Sequence, residues 1–313
     1  MAESVSVPGV QPRRAFALPA VLERQGVLGP VMVAPAILYI AILVGYPFFL
    51  ALYLSISDLR TGSSGLGNFV GLDNFVNLAQ NSIFIQALTN TLLFTIVSAV
   101  GKGLLGTVLA FLLAENLPGT RAFRVVIMLP WTIPIALSAI TWKWLLDSQY
   151  SIINWLTPPF GQLPGKPWPI WLGEPTLAIA SVIGVNIWRG FPFAAIILLA
   201  GMTSIPQDII DAAKVDGASF LTRYRRIIIP MIAPILFIGS LYDLVFTLTD
   251  MSVVYLLTAG GPDNRTHVLA TWAFQVGILS GALSRGAAVA LFLFPFLLVI
   301  VFFVLRALRR REW

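Results

Sequence analysis

Six stretches, at about 28–56, 87–114, 123–146, 176–202, 227–250 and 285–307, are almost entirely apolar. Each is long enough to supply the ~20 residues that a helix needs to cross a bilayer. A chain built this way has few folds open to it. In hydrocarbon every backbone N–H and C=O must be satisfied internally, which leaves helices or a closed barrel. Runs of this length and continuity are helical, so the chain is expected to be all-α, with six membrane spans. Composition agrees: 11% of residues are charged and 58% are hydrophobic, whereas soluble domains carry about 25% charged residues. The sequence divides into a polar tail at 1–27, a six-span domain at 28–308 and a short basic tail at 309–313. Arg13-Arg14 before an apolar segment resembles a twin-arginine signal, but the run that follows starts too late and is too long for one.

The basic residues orient the spans. With the N-terminus inside, Arg13, Arg14, Arg24, Arg121, Arg124, Lys214, Arg223, Arg225, Arg226, Arg306, Arg309, Arg310 and Arg311 fall on the cytoplasmic side. Only Arg60, Lys166, Arg265 and Arg285 fall in the loops opposite. Both termini and the loop at 203–226 are thus expected to be cytoplasmic. Because the positive charge sits at span ends and forms no single patch, nucleic acid is a poor partner; membrane lipid is the natural one. The chain has no cysteine, which excludes disulfides and thiolate metal sites. The single histidine, His267, lies in a loop and is expected at the surface.

Prolines mark where spans bend. Pro130 and Pro134 lie inside the third span and predict a kink there, since proline removes one helical hydrogen bond. Lys102, Arg189 and Asp243 are charges deep within spans, which are costly and are read first as functional. Either they pair with one another between spans or they line a polar cavity. Asn90, Asn186 and Gln275 are candidates to join them as hydrogen-bonding groups, and Trp131, Trp188 and Phe191 as aromatic faces on which a solute can stack.

One loop between spans is unlike the others. Residues 205–226 are polar and built: Pro206 fits a helix start, Asp208 and Asp211 suit the first turns of that helix, and Gly217 is a left-handed stop. A second short helix then carries Arg223, Arg225 and Arg226 into the apolar run at Ile227. This helix–turn–helix reads as a docking surface. Its residues run Asp211-Ala212-Ala213, then Asp216-Gly217-Ala218, then Tyr224, and close on Ile229-Pro230. The pattern closely resembles the Glu-Ala-Ala coupling loop of membrane subunits of binding-protein-dependent ABC importers, with Asp211 in place of Glu, Tyr224 in place of Phe and Ile229 in place of Leu. Other signatures follow in the order of the carbohydrate-importer group: Asn90-Thr-Leu, Trp188-Arg189-Gly190-Phe191-Pro192-Phe193 and Gly260-Gly261-Pro262.

The resemblance covers about residues 30–308 and implies a type I importer permease in the cytoplasmic membrane of a bacterium or archaeon. It also implies that Asp211, Ala212, Ala213, Asp216, Gly217, Ala218, Tyr224 and Pro230 dock a separate ATPase. The implied partners are a dimer of ATP-binding cassette subunits, a second and different six-span permease, and an external solute-binding protein. ATP and Mg²⁺ would be bound by the ATPase and no cofactor by this chain, whose Gly101-Lys102-Gly103 lacks the spacing of a phosphate loop. No nucleophile elbow or zinc-protease motif suggests an enzyme. The competing reading is a carrier driven by an ion gradient, for which Asp243 is the one midplane acid and no inverted repeat is evident.

Overall fold

The computed structural model describes residues 25–65, 67–114, 119–156 and 168–309. Residues 1–24 and 310–313, most of the two expected tails, lie outside them, as do Glu115, Asn116 and Lys166. The chain divides after Leu50 into two compact units. The first contains α1 (Gln25–Ile40), a π-helical turn (Ala41–Gly45) and the start of α2 (Tyr46–Ser55). It is apolar on all sides, with Met32, Tyr39, Val44 and Phe49 all strongly exposed, as suits a helix facing lipid.

The second unit holds α3 (Asp73–Ala79), α4 (Ser82–Ala114), α5 (Thr120–Thr132), α6 (Ile135–Leu145), α7 (Ile152–Leu156), α8 (Pro175–Thr203), α9 (Gln207–Val215), α10 (Phe220–Arg223), α11 (Ile229–Leu248), α12 (Ser252–Thr258), α13 (Leu269–Phe274), α14 (Leu283–Leu291) and α15 (Leu293–Arg309). Among the described residues there is no strand, only one isolated bridge between Ser57 and Phe69. Among the described residues, five helical stretches are long and apolar enough to cross a membrane. The expected third span is instead a broken pair, α5 and α6, meeting at 90°. Ile133 is the residue before Pro134, a position biased away from helix, and it is extended (φ −67°, ψ 134°). Pro130 lies within α5, so the break belongs to Pro134 and not to both prolines. Six spans result when this pair counts as one.

Helices α4 and α8 form the spine, and small residues let them approach closely. A Cβ on Gly106 would lie 2.9 Å from the Ala194 Cβ and 3.0 Å from the Ala195 nitrogen, and one on Gly101 would lie 2.4 Å from Ile187. Below this contact Leu109, Ala110, Leu198 and Ile232 build one apolar core; above it Phe94, Val182, Val185, Val253 and Val254 build another.

The loop between α12 and α13 corrects the expectation for His267. Its side chain is buried, only 2% exposed. Nδ1 sits 3.0 Å from the Thr271 hydroxyl, and the ring packs on Trp272 at 5.2 Å. The loop is drawn inward by Asn90, whose Nδ2 donates to the carbonyls of Arg265 (2.7 Å) and His267 (2.9 Å). Burial lowers the His267 pKa from its ordinary 6.5 to about 4. The folded protein therefore resists a proton that the unfolded chain accepts below pH 6.5. Thermal stability in detergent is expected to be insensitive to this group above pH 6.5 and to fall as pH drops from 6.5 towards 4; His267→Gln should flatten that part of the profile.

Candidate functional site

Two features carry the functional reading: a polar cavity and the loop between α8 and α11. The cavity is about 500 Å³ and lies between α5, α6, α8 and the α11–α12 segment. On α8, Asn186, Arg189, Gly190 and Phe193 line it; their spacing of three and four puts them on one face. On α11 and just beyond, Tyr242, Asp243, Phe246, Thr247 and Asp250 do the same.

One wall is aromatic. Trp131 stacks on Phe193 with centroids 5.2 Å apart and planes at 10°. Phe193 meets Tyr242 at 5.1 Å, and Tyr242 meets Phe246 at 4.2 Å. The rest is polar. Lys102 Nζ lies 2.6 Å from Asp243 Oδ1 and donates also to the Thr247 hydroxyl at 2.6 Å. The Lys102 stem crosses α8 at Gly190, where a Cβ would lie 2.3 Å from its Cδ. Asn186 Nδ2 donates to Asp250 Oδ2 at 3.1 Å, and Asp250 Oδ1 accepts the Ser252 amide at 2.8 Å, fixing the start of α12. Among the described residues, Arg189 Nε and Asn186 Oδ1 are buried without a hydrogen-bond partner. Two cations and two carboxylates therefore share the cavity. Arg189 Nε and the Asn186 amide oxygen are thus open to a ligand, beside a row of ring faces.

Of the candidate path residues, Trp131, Asn186, Arg189 and Asp243 meet at this cavity. The other four do not. Asn90 holds the His267 loop instead. Trp188 packs edge-on against Trp142 at 5.3 Å, Phe191 packs against the Leu198 core, and Gln275 opens a π-helical turn at Gln275–Leu279. Phe193, Tyr242 and Phe246 are not among the candidates yet line the cavity, and Asp250, a charge near the end of the fifth span, joins them. The signal for them was present in the helical repeat: Phe193 is four residues from Arg189, and Phe246 is three from Asp243.

The loop is the expected helix–turn–helix. Helix α9 follows Pro206, Gly217 takes φ +75°, and the Ser219 side chain caps α10 by accepting the Thr222 amide at 3.3 Å. The exposed Asp211 accepts from Lys214 at 2.8 Å and from Gln207 at 3.2 Å. These bonds, Lys214 foremost, hold its carboxyl below the usual range. Val215 is 87% exposed, and Phe220 and Leu221 are also exposed, so apolar surface is offered beside acids and bases. Ala212, Asp216, Gly217 and Pro230 are exposed; Ala213 is buried, and Ala218 and Tyr224 are partly so. Tyr224 and Phe220 both grip Phe111 near the end of α4, with centroids at 4.7 and 5.0 Å.

Residues 103–312 match the family described as the binding-protein-dependent transport system inner membrane component. The chain belongs to this family. It is a multi-pass membrane subunit of a transport system and not an enzyme. Its relatives include the trehalose/maltose transport system permease protein MalF of Thermococcus litoralis, 29% identical over 92% of this chain and 96% of that one. Another is the sulfoquinovosyl glycerol transport system permease protein SmoG of Agrobacterium fabrum, 27% identical over 91% of each. Among solved structures, a chain of a bacterial alginate ABC transporter in complex with an alginate pentasaccharide-bound periplasmic protein has the same fold. It superposes with a TM-score of 0.77 at 24% identity, covering 93% of this chain and 96% of that one. Among the described residues no group of three or more His, Cys, Asp or Glu is placed to hold a metal.

Proposed function

We propose that this chain is the permease subunit of an ATP-driven importer that forms half of the path for a sugar or sugar-like solute. The cavity suits such a solute. Its ring faces match the apolar face of a pyranose, and Arg189 and Asn186 match hydroxyl groups; Trp131 and Asp243 complete the wall. Asp243 is engaged by Lys102, which favours this reading over a carrier driven by an ion gradient.

The observation that carries the proposal is a mechanical one. Helix α8 bears Asn186 and Arg189 in the cavity, and only Ser204–Pro206 separate its end from α9. A force on α9 therefore has a short route to the cavity. In this reading α9 and α10 sit in a cleft of an ATP-binding cassette dimer, which binds ATP and Mg²⁺. Asp211, Asp216 and the exposed Val215 and Phe220 face that dimer, while Ala213 and Tyr224 hold the loop to the spans. A second, different permease completes the path, and a binding protein delivers solute to the opposite side. Both termini are cytoplasmic, and the membrane domain is 28–308 between two short tails.

The test is purification of the chain with its native partners and reconstitution into liposomes. ATP-dependent sugar uptake that needs the binding protein supports the proposal; recovery without any ATPase sinks it. Gly217→Val adds to this test. Nothing lies within 4 Å of a Cβ at Gly217, so the variant strains only the backbone, by about 1–2 kcal/mol. Membrane insertion is expected to survive while ATP hydrolysis runs with little uptake.

A further inference from the structure

A second cavity of about 300 Å³, almost wholly apolar, shares Lys102, Phe193 and Asp243 with the polar one. Helical register shows how the two are stacked. On α8, which runs towards the coupling loop, the polar cavity touches Asn186–Phe193 and the apolar one Phe193–Leu198. On α11, which runs away from it, the apolar cavity touches Leu236–Leu244, and the polar one begins at Tyr242. Along α8 and α11 the order is polar chamber, then Lys102–Asp243–Phe193, then apolar chamber, then coupling loop; on α4 the apolar chamber spans Ala99–Gly103, on both sides of Lys102.

We propose that Lys102 and Asp243, backed by Phe193, are the inner gate of the path. The gate opens by exchange, with hydroxyl groups of the arriving solute replacing the bond between ammonium and carboxylate. This rests on the permease reading above.

Two observations support exchange over a merely structural pair. The ammonium has three donors and uses two, on Asp243 and Thr247. The Asp243 side chain is 23% exposed and faces the polar chamber, while that of Lys102 is 4% exposed. Breaking the pair with nothing in its place leaves a buried charge uncompensated; a polyol supplies both donors and acceptors as it passes. The gate thus favours hydroxylated solutes over apolar ones of equal size.

The chain has no cysteine, so single reporters can be introduced at Thr249 in the polar chamber and Ser240 in the apolar one. A membrane-impermeant thiol reagent is added to the full assembly in vesicles, from the side away from the coupling loop. At rest Thr249→Cys should label and Ser240→Cys should not. With a transported sugar, binding protein and ATP, Ser240→Cys should begin to label. Equal labelling at rest overturns the gate, whether or not sugar is imported.

A second arm compares uptake. K102M/D243L seals the partition with apolar groups; sugar uptake per assembled complex should fall at least about tenfold, and Ser240→Cys should stay unlabelled during turnover. K102D/D243K, which keeps an exchangeable pair, should recover part of the uptake. Wild-type uptake by the apolar pair overturns exchange. Lack of ATP-driven uptake by the unaltered assembly would instead refute the permease reading, and the labelling contrast at rest would still test the partition.

Discussion

Asp243→Leu alone is expected to destabilise the protein by about 3–5 kcal/mol, the usual cost of removing one member of a buried ion pair. The Lys102 side chain is 4% exposed, and the substitution leaves its ammonium with the Thr247 hydroxyl as its single partner. Lys102→Met should cost less. The carboxylate it orphans is 23% exposed and borders a polar cavity where water can reach it. K102M/D243L should be more stable than either single variant, since it removes both charges together, and the two substitutions will not add because they share one contact. The measurement is thermal unfolding of the purified complex in one detergent, at fixed pH and lipid. Equal and small effects of the two single variants would mean that the pair is solvated and that α4 and α11 are held together by packing alone.

Much of this was legible in the sequence. Apolar length gave the spans, because the bilayer imposes a minimum that no soluble helix needs. The coupling loop was legible for the opposite reason: Pro206, Asp208 and Gly217 are punctuation for short helices, and between two apolar runs they have no competing use. Charges inside spans pointed to Lys102, Arg189 and Asp243, since only a partner or a cavity can keep them there. What was not legible was pairing across helices. Nothing at Asn90 distinguishes an amide lining a path from one reaching the carbonyls of Arg265 and His267 on a distant loop. Phe111 has no local signal at all; it matters because the chain returns to lay Phe220 and Tyr224 on it. His267 was misplaced because a loop position usually means water, and here the loop is folded under itself. The 90° break at Pro134 exceeds the expected kink because proline is tolerated within a span, where neighbouring helices re-satisfy the freed backbone groups, and its presence alone does not set the angle.

The same loop gives the second large effect. Gly260→Ala should be among the most damaging single changes in the chain, about 4 kcal/mol or more. Two costs combine. Gly260 has φ +90°, a conformation that costs a residue with a Cβ about 1–2 kcal/mol. The new methyl would also lie 2.1–2.4 Å from the Cε1, Nε2 and Nδ1 atoms of His267, so the imidazole must move. It has little room to do so: the ring is bonded to Thr271, packed on Trp272 and nearly inaccessible. Moving it pulls on the carbonyl that Asn90 holds, and so on α4, which carries Lys102. The two costs can be separated. In a His267→Ala background the steric part disappears, so Gly260→Ala should then cost only the backbone strain of about 1–2 kcal/mol. Thermal unfolding of the four proteins in this cycle gives the coupling directly. A coupling near zero would mean that the ring already has space to swing aside, and that the buried imidazole is not what requires glycine at this position.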